Sequence, residues 1–428
     1  MANSNSFLLR QISQIRTGGI RVLSQKVVRL ILELVSWPLV ILFVLVIRII
    51  KPLVLIRTNS LFSSRIGGIA PWPEIYLCEK DAKIGFPNKR FIDIWYHGEK
   101  PCNKQIAKMW ERTITIYPRW LMSRVAKAHR LMPGGAQFIM PHTSTYDLDK
   151  NGLLRKSAQH IKWTNKELQK GAQELRKLGV PDNCEFVCLI VRDNAYLDWW
   201  RPNESWDYFN YRNGNIDNYV LAAEALAERG IYTIRMGAKV EKKIPTQNKF
   251  VIDYASDGFR TDFMDIFLGA HCKFAISTPV GLDEVSRLFR RPIIHVDFIN
   301  WILQLRRGYL SIGKHYFDKN TERQLTWRQI LEFEKRPDYS FEVKFYDDNA
   351  IYPEFNTPEE IRDVVLEMDD LLNIDWVETD FDRELQNQFW SIFEEYNAPL
   401  ITYGVNYGKG ISSISAKYLR DNHQWFLA

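Results

Sequence analysis

FVCLIV, residues 186–191, opens a series of four apolar runs. Ile231–Met236, Phe274–Ile276 and Pro292–Asp297 follow, and the runs stop at polar, Gly or Pro residues. Between them lie helical patterns. Asp217–Arg229 places Tyr219, Val220, Ala223, Leu226 and Ala227 on one face, with Asp217 or Asn215 to cap its start and Gly230 to end it. Leu282–Phe289 is a second helix. Strand alternating with helix predicts βαβ units and a parallel sheet. Such sheets bind ligands beyond the carboxyl ends of their strands. Those ends carry Arg192-Asp193, Arg235-Met236-Gly237, Ser277-Thr278-Pro279 and His295-Val296-Asp297.

These residue types suit a diphosphate. Arginine presents a planar fork that matches phosphate oxygens in pairs. Arg192 and Arg235 stand at equivalent strand ends, Asp193 is placed to orient Arg192, and Gly237 lets backbone approach a ligand closely. Thr278 is a good N-cap with Pro279 in the first turn, and a helix start offers unpaired amides to an anion. Gly281 leaves room there. Asp283 and Glu284 either meet ribose hydroxyls or only favour the helix dipole, and Asp297 and Asn300 are placed to touch sugar or base. A structural ion pair would equally explain Arg235, and capping alone would explain Thr278 and Pro279. Convergence of two forks and a helix start on one crevice is what raises the anion site above those explanations.

Working outward, 428 residues predict two domains with extensions. The expected division is 1–52 as a membrane-associating segment, 53–180 as a first α/β domain, 181–310 as the nucleotide-binding domain, and 311–428 as a helical extension. The net charge of +6 is spread along the chain without a compact basic block, which argues against a nucleic-acid partner. Five cysteines, an odd number without a CxxC pair, argue against a zinc site or disulfide framework.

Leu30–Ile47 (LILELVSWPLVILFVLVI) reaches roughly 27 Å as a helix, barely a bilayer core. Glu33 and Pro38 interrupt it. Arg10, Arg16, Arg21, Lys26 and Arg29 precede it, and Arg48, Lys51, Arg57 and Arg65 follow. Basic residues on both flanks hold both ends in the cytoplasm, so residues 27–50 are expected as a re-entrant or interfacial anchor kinked at Pro38, with a single span as the alternative.

In the first domain, Lys51–Arg57 is expected as a buried strand, followed by a Gly-containing loop, Ser63–Ile69. That loop is either a tight turn or a place where bare amides meet a ligand. Phe91–Tyr96 and Ala136–Met140 are further expected strands, and Asn103–Glu111, Trp120–Arg130 and Leu168–Leu178 helices. Thr357-Pro358-Glu359-Glu360 is a capping box that starts a helix to about Leu372. Phe389–Tyr396 and Ser413–Asn422 complete the helical candidates.

The pattern resembles a family of bacterial surface-carbohydrate glycosyltransferases. It stands here as Val191-Arg192-Asp193-Asn194-Ala195-Tyr196, Arg212-Asn213 through Tyr219 to Ile234-Arg235-Met236-Gly237, and Ser277-Thr278-Pro279-Val280-Gly281-Leu282 with Phe289 and Pro292. Ser64-Arg65-Ile66-Gly67 is similar to the family's first loop, although Gly68 stands where the family usually has His. Asn356–Ile361 is similar to its late helix start. The resemblance covers most of residues 53–428. It implies a GT-B-like fold, two Rossmann-like domains facing a cleft, and a glycosyltransferase moving sugar from a nucleotide-sugar donor to a glycan or lipid-linked acceptor in cell-surface polysaccharide synthesis. The place of work would be the cytoplasmic face of the inner membrane.

On this reading the donor meets Arg192, Asp193, Tyr196, Arg212, Asn213, Arg235, Gly237, Ser277, Thr278, Gly281, Glu284 and Asp297, while Arg65, Gly67 and Gly68 form the acceptor-side loop. The acceptor hydroxyl needs a general base from the first domain. His142 is the first candidate, His97 the second, and Asp93 or Asp147 the third. Asp147-Leu148-Asp149 has the spacing of a metal-binding DxD but a bulky apolar context, so neither metal nor cofactor is expected. A sugar-nucleotide epimerase of the same fold and a non-catalytic membrane-attached scaffold are the competing assignments. Donor identity and oligomeric state leave no mark on the sequence.

Overall fold

The computed structural model describes residues 19, 20, 22, 24, 27, 28, 35–141, 149, 151–305, 309–396 and 413–428. The chain forms two units. One comprises Met1–Leu61, Phe86–Gly98 and Ile114–His142, and the other Phe62–Gly85, Glu99–Thr113 and Thr143–Ala428. The boundary expected near residue 180 lies within the second unit, between the helix Asn165–Lys177 and the strand that follows it.

In the first unit, β1 (Leu55–Leu61) pairs in parallel with β2 (Phe91–His97). Single bridges extend the pair at each edge, Thr58 to Ile139 and Trp95 to Ile116. This sheet is therefore much smaller than the Rossmann-like one expected. Ala136–Met140 is not a strand: Gly134, at φ +68°, leads into a 3-10 turn at Gly135–Phe138, and only Ile139 reaches β1. The first strand also starts later than expected, because Leu53 and Val54 donate to the Ile50 carbonyl and prolong the preceding turn. Helical residues 35–49 bury Val40, Val44 and Ile47 beside Leu55, Ile94, Met122, Val125 and Phe138. That spacing gives one inward stripe. Val35, Leu39, Ile41, Leu42, Leu45, Val46 and Ile49 stay exposed. Among the described residues no helix is long and apolar enough to cross a membrane.

The second unit holds β3 (Phe186–Ile190), β4 (Tyr232–Arg235), β5 (Val251–Ile252), β6 (Ala275–Ser277), β7 (Ile293–Phe298), β8 (Leu310–Gly313), β9 (His315–Asp318), β10 (Ile351–Glu354) and β11 (Ser413–Ile414). Seven form one sheet in the order β11-β8-β7-β6-β3-β4-β5, every pair parallel. β9 and β10 form a separate antiparallel pair. The four apolar runs read from sequence are β3, β4, β6 and β7, each buried throughout. Continuous apolar strands are what a sheet covered on both faces requires. Alternate residues serve opposite faces: Val187 and Leu189 join one core, Phe186, Cys188 and Ile190 the other.

Helices cover both faces. Val220–Glu228 buries Ala222, Ala223 and Leu226, preceded by a 3-10 turn at Ile216–Tyr219 rather than by one continuous helix. Pro358–Asn373 starts from the predicted capping box, Thr357 and Glu360 satisfying each other's backbone amides. On the other face, Gly171 allows Asn165–Lys177 to lie against Phe267, since a Cβ there would come within 1.9 Å of that ring. The strand order places β4 and β5 on one side of β3 and β6, β7 and β8 on the other. The sheet therefore has its switch point between β3 and β6, where ligands of open α/β sheets bind.

Candidate functional site

Arg192 lies two residues beyond β3, and Thr278 directly follows β6. They tie the switch point together. The Arg192 amide donates to Thr278 Oγ1 at 2.7 Å, and the Thr278 amide to the Ile190 carbonyl at 3.0 Å. The Thr278 hydroxyl is thus not an N-cap, contrary to expectation. The next helix begins only at Asp283, runs six residues to Leu288, and has no side-chain cap. Asp283 instead accepts from Ser277 Oγ (2.9 Å) and the Val280 amide (3.2 Å), and lies 3.4 Å from His295 Nε2. The expected helix mouth is replaced by an irregular turn.

Segment 207–215 crosses this crevice. The Gly214 amide donates to the Arg192 carbonyl at 2.9 Å. A Cβ on Gly214 would sit 2.8 Å from Thr278 Cγ2 and 2.9 Å from Val191 Cγ1, so only glycine fits. Asn213 donates to Asn194 (3.1 Å) and Asn210 (3.3 Å), holding two loops together. Arg192 itself reaches the Phe209 carbonyl at 3.1 Å, and Arg212 lies 5.9 Å from the Phe209 ring and 5.6 Å from that of Phe341.

A third cation, missed in the sequence, completes the cluster. Lys314 follows β8 directly and is buried. Its Nζ donates to the carbonyls of Asn213 (2.7 Å) and Tyr211 (2.9 Å) and lies 4.1 Å from the Phe355 ring. The signal was the apolar run Tyr309–Ile312 before Gly313-Lys314, one more strand with a charged carboxyl end. Burial, with Arg192 nearby, pushes Lys314 down to about 8, against the pull of Asp297. Burial and then Arg212 push Arg192 down to about 9. Among the described residues neither Arg192 nor Lys314 makes an ion pair; carbonyls hold both. Desolvated cations that repel one another and lack carboxylate partners favour an added anion.

The acids of this region are engaged elsewhere. Asp297 accepts from the Tyr219 hydroxyl and the Asn356 amide, each at 2.7 Å, and burial raises its carboxyl. Asp193 accepts from the amides of Ala195 (3.1 Å) and Glu241 (3.0 Å), and burial raises it too. Arg235 is buried and turned into the protein: it donates to the Lys242 carbonyl and to Asp253 (3.3 Å), and its other terminal nitrogen is 3.8 Å from Asp193. The structural alternative describes Arg235 better than the phosphate fork does. Glu284 likewise is buried against Arg287 at 3.1 Å rather than offered to a ribose, and Ser277 is buried on Asp283. Gly237 makes the turn after β4, where a Cβ would lie 2.8 Å from Val240.

The first loop packs on the turn after β6. A Cβ on Gly67 would stand 2.8 Å from Gly281 Cα, and one on Gly281 2.9 Å from the Gly67 nitrogen. The two glycines serve contact of backbone with backbone. Gly68 instead lets the backbone lie against the Phe62 ring, where a Cβ would fall 2.0 Å from it. Arg65 is exposed, 4.9 Å from the Trp200 ring. Tyr196 is half-buried, its phenol raised by burial and eased by Arg260 and Arg65.

Of the candidate bases, His142 lies outside the described residues, as does Asp147. Asp93 is buried and paired with Arg57 at 2.8 Å across neighbouring strands, a structural role. His97 ends β2.

Two features lie away from the crevice. Donor atoms of Glu74, Cys78 and His160 fall within 4.8 Å of one another. Cations already serve them: Arg290 donates to Glu74 at 2.6 Å and to Cys78 Sγ at 3.7 Å, and bonds to Cys78, Glu74 and Asp81 push His160 up to about 10. A cavity of about 490 Å³, lined by Arg155, Arg287, Arg290, Arg291, Tyr309 and Leu371 among others, opens at the amino ends of β7 and β8. That is the sheet edge opposite the switch-point ligand position.

No protein-family model and no curated protein matches the chain. Solved structures to which it is similar include ADP-heptose LPS heptosyltransferase II of E. coli, at TM-score 0.40 and 11% identity, over 75% of this chain and 99% of that one. The iron-containing dodecameric glycosyltransferase TibC of enterotoxigenic E. coli H10407 gives TM-score 0.35 and 12% identity, over 74% and 77%. E. coli heptosyltransferase WaaC with ADP gives 0.30 and 11%, over 69% and 99%. Likeness of this degree says nothing of the chemistry of this chain, which rests on its own residues.

Proposed function

We propose that the protein is a glycosyltransferase that takes sugar from a nucleotide-sugar donor to a glycan or lipid-linked acceptor in surface-polysaccharide synthesis. The observation that carries this is the cluster of Arg192, Arg212 and Lys314 at the switch point of a parallel sheet, with Arg192 and Lys314 held by carbonyls instead of carboxylates. A nucleoside diphosphate supplies the charge that such a cluster lacks. In glycosyl transfer the leaving diphosphate gains charge as the glycosidic bond to the donor breaks, and pre-placed cations stabilise it. On this reading Arg192, Arg212 and Lys314 take the phosphate role first assigned to Arg192 and Arg235. Calorimetric titration with ADP, GDP, UDP, dTDP and CMP tests the reading and identifies the nucleotide. Absence of binding by all five would overturn it.

No metal is needed where cations of the protein neutralise the leaving group. Transfer is therefore expected to persist in EDTA, and activity lost to EDTA and restored by a divalent cation would reverse that. With Asp93 held by Arg57, His97 is the proposed base to examine first; His97→Gln should lower kcat more than it raises KM. The exposed apolar face of residues 35–49 supports a membrane surface as partner, at the cytoplasmic face of the inner membrane. Flotation with phospholipid vesicles tests this. Deletion of residues 1–50 should release the protein, and equal flotation without them would remove the anchor.

A further inference from the structure

Trp199, in the short helix that follows Arg192, has 60% of its surface exposed. We propose that its indole is the stacking face for the nucleobase of the donor, an inference that rests on the phosphate reading of Arg192, Arg212 and Lys314. The helix Ala195–Trp200 begins three residues after Arg192, so the ring and the guanidinium belong to one short piece of chain. Their separation along it is on the order of 10 Å, comparable with the reach from a nucleotide's phosphates to its base. The piece is pinned on both sides. Asn194 donates to Asn210 at 2.6 Å, and its amide to Glu241 at 3.3 Å.

The position of the ring follows from its neighbours. Lys239 Nζ, from the loop after β4, lies 6.0 Å from the Trp199 centroid. Trp199 therefore stands beyond the carboxyl ends of β3 and β4, the strand-end side of the sheet on which Arg192 also lies. The other rings nearby have partners on their faces. Trp200 lies under Arg201 (4.3 Å) and Arg65 (4.9 Å). Trp206 is buried beside Trp200 (6.4 Å) and Tyr208 (6.1 Å), and Tyr208 lies 4.0 Å from Phe209. Among the described residues Trp199 meets only Tyr196, tilted 43° at 5.9 Å, and the distant Lys239 amine.

A single exposed aromatic is ordinary on a protein surface. This one lies seven residues beyond Arg192 on one pinned piece of chain, so a flat base would cover the indole while its phosphates reached the cations proposed to hold the diphosphate. Stacking of a base on an indole tolerates any base identity, so the shelf adds affinity without choosing the nucleotide.

Inorganic pyrophosphate separates the two halves of the ligand. It carries the charge and lacks the base. Calorimetry on the full chain with pyrophosphate, ADP, GDP and UDP is the experiment, on wild type, Trp199→Ala and Trp199→Phe. Trp199→Ala is expected to weaken the nucleoside diphosphates about tenfold and to leave pyrophosphate unchanged, with Trp199→Phe keeping most of the affinity. Equal weakening of pyrophosphate, or no weakening of either, would overturn the shelf. Wild type binding pyrophosphate as tightly as every nucleoside diphosphate would also overturn it, while leaving the phosphate reading intact. Wild type binding neither would bring down the phosphate reading itself.

Discussion

The two edges of the seven-stranded sheet use their cations in opposite ways. At the carboxyl edge, half-buried Arg192 and buried Lys314 rest on backbone carbonyls, with Arg212 lowering the proton affinity of Arg192 and Arg192 that of Lys314. At the amino edge, Arg287 meets Glu284 at 3.1 Å and Arg290 meets Glu74 at 2.6 Å, each a buried carboxylate. The second arrangement is complete and holds the fold. The first has no paired carboxylate among the described residues, and that is the deficit the proposed diphosphate would fill. Arg235 teaches the same lesson: it ends its strand as Arg192 follows its own, yet its pairing with Asp253 puts it with the structural arginines.

The sharpest way to break this contrast is to exchange the expected phenotypes. Arg235→Ala should cost about 3–5 kcal/mol of stability by stranding the buried Asp253, measured by urea unfolding. An unchanged midpoint would place Arg235 with the ligand-binding cations after all. Arg192→Ala should behave the other way, weakening nucleoside diphosphate binding about 10–100-fold with little change in unfolding midpoint. A large loss of stability with binding intact would dissolve the distinction. Gly67→Ala should lower stability by about 1–3 kcal/mol, because its methyl would press on the Gly281 backbone, 2.8 Å from Cα. Wild-type thermal stability in that variant would mean that the two loops separate at little cost.

The smallest effect, a pH slope, sharpens the contrast by its sign. Burial pushes Lys314 down to about 8 from an ordinary 10.5. Between those values the unfolded chain holds a proton that the folded chain does not, so this group's contribution to stability rises with pH across that window. His160 runs the other way. Its bonds to Cys78, Glu74 and Asp81 push it up from 6.5 to about 10, so its stabilisation is complete below pH 6.5 and is lost as pH climbs through 10. Urea unfolding between pH 7 and 10.5 should show Lys314→Met removing a rise and His160→Gln removing a fall. The same slope for both variants would contradict the assigned environments. An anion bound beside Lys314 should also bind more weakly above pH 8.

Much of the second unit was legible because its signals are local. FVCLIV and its three successors are apolar enough to be buried on both faces, which selects central parallel strands. Thr357 and Glu360 satisfy each other within one turn, so their helix start needed no tertiary knowledge. The first unit was less legible. Ala136–Met140 has a strand's composition, but Gly134 turns the backbone and leaves Ile139 alone to pair. Thr278 and Pro279 have the composition of a helix start, but the nearest acceptor need was that of the Arg192 amide, 86 residues away in sequence.

The sequence alone determined that a parallel α/β sheet would form and that charged residues would gather where its strands end, because hydrophobic period and strand length are properties of short segments. Which of those charges are paired was decided only in three dimensions. Asp253 takes Arg235 from across a β-strand connection, while Phe209, Tyr211 and Asn213 bring nothing but carbonyl oxygens to Arg192 and Lys314. The energy of a buried charge depends on its partners in space, and no local pattern encodes those partners.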